Sequence, residues 1–254
     1  MARSVPILEV KDLVARYGDM EVLRGVSFEA DEGEILAVVG GSGCGKTTLL
    51  KYIIGLMRPT SGSVKFWGRD IAEMNEDELS ALQARIGVSF QSGGLFNSMT
   101  LYDNIALPLR ERRDLSEEII DTIVRAKLAL VGLDHAMYQL PSELSGGMRK
   151  RAGFARALAL DPEIVFFDEP GAGLDPITAA GLDELILRLR RTLGITMVVI
   201  THELDSIKKV ADRVLMLDRG NVAFLGLLDD ALKSAEPRVR QFFSRLPDET
   251  ITVR

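Results

Sequence analysis

Between Gly40 and Thr48 the chain reads GGSGCGKTT, a match to the phosphate-binding pattern G-x-x-x-x-G-K-[ST]. The apolar run Ile35-Leu36-Ala37-Val38-Val39 leads into it, and the helix-like LLKYIIGL leads out. A strand that ends in a glycine-rich turn and then opens a helix aims several backbone N–H groups at one point, where the helix dipole adds partial positive charge. Phosphate oxygens belong at that point. Gly40 and Gly45 let the backbone wrap closely, Lys46 has the reach for β- and γ-phosphates, and the Thr47 hydroxyl can ligate a bridging Mg²⁺. Gly41, Ser42, Gly43, Cys44 and Thr48 complete the nucleotide-binding stretch.

Elements able to position such a loop are legible on both sides of it. Residues 7 to 30 alternate apolar and polar side chains in ILEVKDLVARYG and VLRGVSFEA, which predicts antiparallel strands ahead of the loop. A short strand, SVKFWG at 63–68, follows the turn signal Pro59-Thr60-Ser61-Gly62, and RIGVSF at 85–90 reads as a buried strand. From about 101 to 160 the spacing is helical, clearest in SEEIIDTIVRAKLALVGL with Ser116 as its N-cap. Parallel-sheet patterning then resumes. EIVFFDE at 163–169, ITMVVITH at 195–202 and RVLMLD at 213–218 are apolar runs separated by helical stretches, as a doubly wound α/β sheet requires.

Composition narrows the partners. The chain has 254 residues, enough for one α/β domain with a helical insertion or for two small domains. With 31 basic and 37 acidic residues its net charge is −6, which argues against a large nucleic-acid footprint. A single cysteine excludes an internal disulfide and a Cys-rich zinc module and fits a reducing cytoplasm. Cys44 itself reads as a small filler, with a thiol open to some acidification by the surrounding N–H dipoles. The N-terminal apolar run is too short for a signal peptide, and no run approaches the roughly 20 residues that span a bilayer. A membrane process would need another chain to supply the membrane part.

With these segments aligned, the chain resembles the ATP-binding cassette (ABC) family over nearly its whole length. Ile164-Val165-Phe166-Phe167-Asp168-Glu169 looks like the family's Walker B segment, in which Asp168 would hold Mg²⁺ through water and Glu169 would polarise the attacking water. Leu144-Ser145-Gly146-Gly147-Met148 looks like the signature, with Met148 in place of the usual glutamine. Ser145, Gly146 and Gly147 are expected to precede the helix MRKRAGFARALAL and to offer N–H groups to an anion. Tyr17, 23 positions before Gly40, matches the aromatic that stacks on adenine; Gln91 matches the glutamine that ligates Mg²⁺ and senses the membrane partner. Gly173-Leu174-Asp175 resembles the loop that crosses to the opposite subunit, and His202 the histidine at the γ-phosphate. The cofactors implied are ATP and Mg²⁺, with Lys46, Gln91, Glu169 and His202 in catalytic roles and Thr47, Gln91 and Asp168 as metal ligands.

The resemblance implies an α/β fold: a P-loop NTPase core with a parallel sheet and an N-terminal antiparallel β subdomain (residues 1–99 and 160–235). A helical subdomain carrying the signature is inserted at 100–159, and a C-terminal extension follows at 236–254. It also implies a head-to-tail dimer of two copies, each ATP held by the P-loop of one and the signature of the other. FQSGGLFNSMTLYDNIALPLRE, LSGGM, DEPGAGLDPIT and PRVRQFFSRL resemble in particular the ATPase branch of Mla-type lipid transporters. That branch implies a phospholipid cargo, a multi-span permease, an MCE-domain lipid-binding protein and a small accessory subunit, with the chain peripheral on the cytoplasmic face of a bacterial inner membrane. Two other readings stay open, a cassette for another small solute and a soluble cassette ATPase without a transporter.

Smaller features complete the expectations. The basic cluster Arg149-Lys150-Arg151 reads as the solvated face of the signature helix. His135 reads as a solvated loop residue, and Trp67 and Phe242-Phe243 as packing residues. Leu95 and Phe96 are apolar residues in a Ser/Gly-rich loop and are expected to be partly exposed for a partner helix. After Pro237, Val239, Phe242, Phe243 and Leu246 share helical spacing, with Arg238, Arg240 and Arg245 on the solvated side. Residues 247–254 are expected to reach a neighbouring copy.

Overall fold

A computed structural model describes residues 5–112 and 114–246. The expectation for residues 247–254 lies outside the described residues. The chain divides into two compact units, one holding the residues up to Glu73 and from Thr201 on, the other Met74–Ile200.

The first unit opens with β1 (Leu8–Tyr17) and β2 (Met20–Ala30), paired antiparallel as their alternation predicts. β3 (Ile35–Val39) is buried at all five positions and runs into α1 (Lys46–Ile53). β4 (Ser61–Phe66) returns antiparallel along β1 and β5 (Arg69–Asp70) along β4, giving a four-stranded sheet in the order β2-β1-β4-β5.

The second unit begins with α2 (Glu76–Ala84), started by a reciprocal cap in which Asn75 Oδ1 accepts from the Glu78 N–H and Glu78 Oε2 from the Asn75 N–H. β6 (Ile86–Ser89) follows; two of its four residues are buried in alternation, so it is half-buried rather than buried throughout. The helices α3 (Leu101–Arg112), α4 (Glu117–Leu130) and α5 (Gly146–Ala157) come next. Ser116 takes the N-cap backbone position of α4, though its side chain makes no cap bond. β7 (Ile164–Asp168), α6 (Pro176–Leu193) and β8 (Thr196–Ile200) end the unit. β6, β7 and β8 pair in parallel, and every residue of β7 and β8 is buried, which is why both segments read as continuous apolar runs.

The chain then returns to the first unit through α7 (Leu204–Val210), β9 (Arg213–Asp218), β10 (Asn221–Leu227), α8 (Leu228–Leu232) and α9 (Pro237–Phe243). β9 lies parallel to β3, and β10 antiparallel to β9. Val239 and Phe243 of α9 enter a core with Ala37, Val39, Val214 and Met216, which anchors the helix on the strands beneath the phosphate loop. Burying a side chain such as Phe243 is worth about 1.5–3 kcal/mol. Leu246 departs from its expected place in that face: it lies beyond the helix end and is 53% exposed. Arg240 and Arg245 are exposed as expected, but Arg238 is half-buried and its Nε lies 3.5 Å from Asp218 Oδ2.

Among the described residues, no helix is long and apolar enough to cross a membrane.

Candidate nucleotide-binding site

The loop from Gly40 to Gly45 leaves the buried end of β3 and enters α1 through backbone conformations that only glycine adopts freely. Gly40 has φ 144°, and a Cβ there would lie 2.3 Å from the Leu217 carbonyl oxygen. Gly45, the N-cap of α1, has φ 111°, and a Cβ there would meet Leu23 at 2.7 Å. Since the N-cap is glycine, no side chain caps α1, and no acidic residue stands in its first turn. The first-turn N–H groups and the positive end of the dipole are left to an external anion.

Lys46 leans over this loop, its Nζ donating to the Gly40 carbonyl at 2.8 Å and the Gly41 carbonyl at 3.1 Å. Gly41, Ser42, Gly43 and Thr47 are exposed and Thr48 is half-buried. Cys44 is 6% exposed, and burial pushes its thiol up by more than the neighbouring Lys46 ammonium pulls it down. The backbone N–H groups of Lys46 and Cys44 also pull it down, but burial outweighs them, so the thiol is not acidified and Cys44 serves as a small filler of the loop. Tyr17, 44% exposed at the end of β1, donates its hydroxyl to Met57 Sδ at 3.3 Å. The Thr201 N–H donates to the Val38 carbonyl at 3.2 Å, which sets the exposed His202 beside the end of β3 where the phosphate loop begins.

In the second unit, β7 ends in the buried Asp168, and Glu169 follows at φ 49°. A non-glycine residue in that region carries about 1–3 kcal/mol of strain and persists only where its surroundings over-determine it. Here they do. The Glu169 N–H donates to the Ile200 carbonyl at 2.8 Å, and its own carbonyl accepts from the Ala172 N–H at 3.2 Å and from Lys150 Nζ at 2.9 Å. The same Nζ donates to the Gln91 carbonyl at 2.6 Å, so one ammonium joins the exposed Gln91 to Glu169. Lys150 is only 7% exposed, which corrects the reading of Arg149-Lys150-Arg151 as a solvated face. Arg149 is exposed, but Arg151 is half-buried and bonds the Val131 carbonyl at 3.3 Å. The signal was present in the helical spacing, since Lys150 lies three residues after the buried Gly147 and four before the buried Phe154.

Ser145 is the N-cap of α5, and its Oγ accepts from the Met148 N–H at 3.3 Å. Gly146 and Gly147 form the first turn of the helix; they do not precede it, as the sequence reading expected. A Cβ at Gly147 would come within 2.5 Å of Thr178 Cγ2 and one at Gly146 within 3.1 Å of Leu174 Cδ2, so the two glycines admit close packing on the first turn of α6 and on the loop before it. Asp175 caps α6 through its Oδ1, which accepts from the Ile177 and Thr178 N–H groups, and the Thr178 contacts hold its carboxyl below the usual range. No acidic side chain occupies the first turn of α5, so the N–H groups there that Ser145 does not cap carry the positive end of the helix dipole.

The segment after Gln91 is anchored by Asn104, which sequence reasoning passed over because it sits within an apolar helical stretch. Asn104 is fully buried and bonds the N–H and carbonyl of Phe96 and the carbonyls of Met99 and Thr100. Leu95 is half-buried and Phe96 is 46% exposed, as expected of a partner-facing loop. The Arg156 guanidinium lies 4.9 Å from the centre of the Phe96 ring, and burial pulls it below the usual arginine range.

The ABC transporter family matches residues 23–172. The probable ribonucleotide transport ATP-binding protein mkl of Mycobacterium leprae is 44% identical over 93% of the chain and 68% of its own length. The intermembrane phospholipid transport system ATP-binding protein MlaF of Haemophilus influenzae is 41% identical over 93% of the chain and 89% of its own length. Among solved structures, a dimeric post-hydrolysis state of the ATP-binding cassette MJ0796 bound to ADP and Pi has a TM-score of 0.79 and 30% identity, covering 87% of the chain and 98% of that protein.

Proposed function

The chain belongs to the ABC transporter family, and we propose that it is the ATP-hydrolysing subunit of a bacterial inner-membrane transporter that moves phospholipid between the inner and outer membranes. As a family member it is an ABC ATPase. The observation that carries the reading is the start of α1, an uncapped helix N-terminus opened by a glycine at positive φ, with a lysine ammonium resting 2.8 Å from the Gly40 carbonyl.

In this reading Lys46 exchanges its carbonyl contacts for β- and γ-phosphate oxygens, and the first-turn N–H groups of α1 take the remaining phosphate charge. Tyr17 stacks on the adenine, and His202 contacts the γ-phosphate. Glu169 accepts the proton of the attacking water, its carboxylate set in direction by the pinned backbone on either side. A second copy of the chain supplies Ser145, Gly146 and Gly147 of α5 to the same nucleotide. The hard oxygen donors Thr47, Gln91 and Asp168 suit Mg²⁺, which would neutralise charge on the phosphates.

Phospholipid is favoured as cargo because the MlaF protein is matched over 89% of its length, whereas the mkl protein extends well beyond the matched 68%. The partners proposed are a second copy, a multi-span permease facing Gln91 to Phe96, an MCE-domain protein and a small accessory subunit, with this chain peripheral on the cytoplasmic face of the membrane. The test is purification of the chain with the products of its neighbouring genes, followed by mass spectrometry of bound small molecules. Stoichiometric phospholipid supports the reading; a different solute enriched in its place overturns the cargo.

A further inference from the structure

The buried Lys150 joins three segments that the proposed function uses separately. Its own helix, α5, is capped by Ser145; its Nζ donates to the Gln91 carbonyl at 2.6 Å and to the Glu169 carbonyl at 2.9 Å. The first of these carbonyls belongs to a residue whose side chain is exposed, the second to a residue held at φ 49°. A buried ammonium is costly unless hydrogen-bonded, and a left-handed glutamate persists only where something fixes it. Each feature accounts for the other. The charge is solvated by two backbone carbonyls, and those carbonyls are thereby fixed in place.

We propose that Lys150 is a positioning residue for hydrolysis, clamping the peptide of Glu169 to that of Gln91 so that the Glu169 carboxylate is aimed at the attacking water. The inference rests on the proposed function. The clamp acts on direction and not on affinity, because its bonds to the Gln91 and Glu169 carbonyls set the course of two peptides. Moving the Gln91 turn would pull on the ammonium and re-aim Glu169, so the same contact carries a signal from the partner-facing loop to the catalytic carboxylate. A misplacement of about 1 Å is enough to cost on the order of 100-fold in rate.

The test compares Lys150→Met, which keeps the stem and loses the donors, with Lys150→Arg, which keeps donors, in the full-length chain purified with its membrane partners. The quantities are kcat and KM for Mg-ATP, with thermal stability measured alongside. Lys150→Met is expected to lower kcat about 10-fold or more with KM within about twofold of wild type, and Lys150→Arg to recover most of the loss. Should Lys150→Met fail to fold, Lys150→Gln, which retains an N–H donor, is expected to fall between the arginine variant and inactivity at unchanged KM. A kcat within twofold of wild type in the methionine or glutamine variant, or a KM that rises in step with the fall in kcat, overturns the inference. A wild-type complex without ATPase activity overturns the proposed function as well; an active wild type with an insensitive Lys150 overturns the inference alone.

Discussion

The ammonium of Lys46 lies 2.8 Å from the carbonyl oxygen of Gly40, six residues earlier in the same loop. The contact shows a cation parked on the rim of the anion site by its own backbone, at the start of a helix that no side chain caps. Loss of that cation leaves phosphate charge without its partner. Lys46→Ala is therefore expected to abolish hydrolysis and weaken ATP binding, read by ATPase assay and nucleotide titration of the complex. Turnover near wild type would remove Lys46 from the role.

Glu169→Gln keeps the side-chain shape and the strained backbone but loses the basic carboxylate. Hydrolysis is expected to fall by about 10²-fold or more while ATP still binds, trapping the two copies together. Size-exclusion chromatography with and without ATP checks this, and a mutant that shows no ATP-dependent association contradicts a nucleotide shared between copies.

The half-buried Leu95 and the exposed Phe96, the latter under the Arg156 guanidinium, form the apolar part of the segment after Gln91. Replacing both with Ser is expected to reduce co-purification of the permease or to uncouple ATPase from transport, with little change in the ATPase of the isolated chain. Unaltered co-purification and lipid transfer would assign the two residues to packing alone.

Cys44, buried beneath the loop with its thiol pushed up by desolvation, is expected to react with maleimide far more slowly than an unstructured thiol at neutral pH, and readily once the chain is unfolded. Labelling of the folded protein at the rate of the denatured one would contradict this burial.

Arg85 and Glu163 form a two-pronged pair, at 2.6 and 2.9 Å, that holds the glutamate below its ordinary value of 4.5. The unfolded chain takes up this proton more readily than the folded one. The pair's contribution is therefore full above pH 4.5 and is lost as pH falls through the lowered folded value. Both partners are about half exposed, so the pair is worth under about 1 kcal/mol. Glu163→Gln is expected to lower the melting temperature slightly at pH 7 and to flatten its acid dependence; an unchanged acid profile would assign that dependence to other groups.

Much of this was legible before the structure. The phosphate loop announces itself because glycine, lysine and threonine are each demanded by a separate part of phosphate chemistry, and the strands around it because burial on both faces leaves continuous apolar runs. Lys150 escaped notice because neighbouring cations share one appearance in a sequence, whereas a helix turns one of the three inward and leaves Arg149 exposed. The positive φ of Glu169 has no sequence signal at all: it is imposed by the Ile200, Ala172 and Lys150 contacts, from residues distant in the chain or from the turn that follows. Leu246 fitted the helical period but fell past the end of α9, where the period no longer applies. β10 gave little signal because none of its residues is fully buried and two of its seven positions, Asn221 and Gly226, weaken the alternation.

As the ATPase of a phospholipid transporter, this chain turns ATP hydrolysis into movement of lipid. The most direct test is transfer of labelled phospholipid between two vesicle populations by the reconstituted complex, measured with wild-type and Glu169→Gln subunits in the presence of Mg-ATP. Transfer that requires ATP and disappears in the Glu169→Gln complex is the predicted result. Vigorous ATP hydrolysis by the wild-type complex with no lipid moved above the ATP-free rate would contradict it.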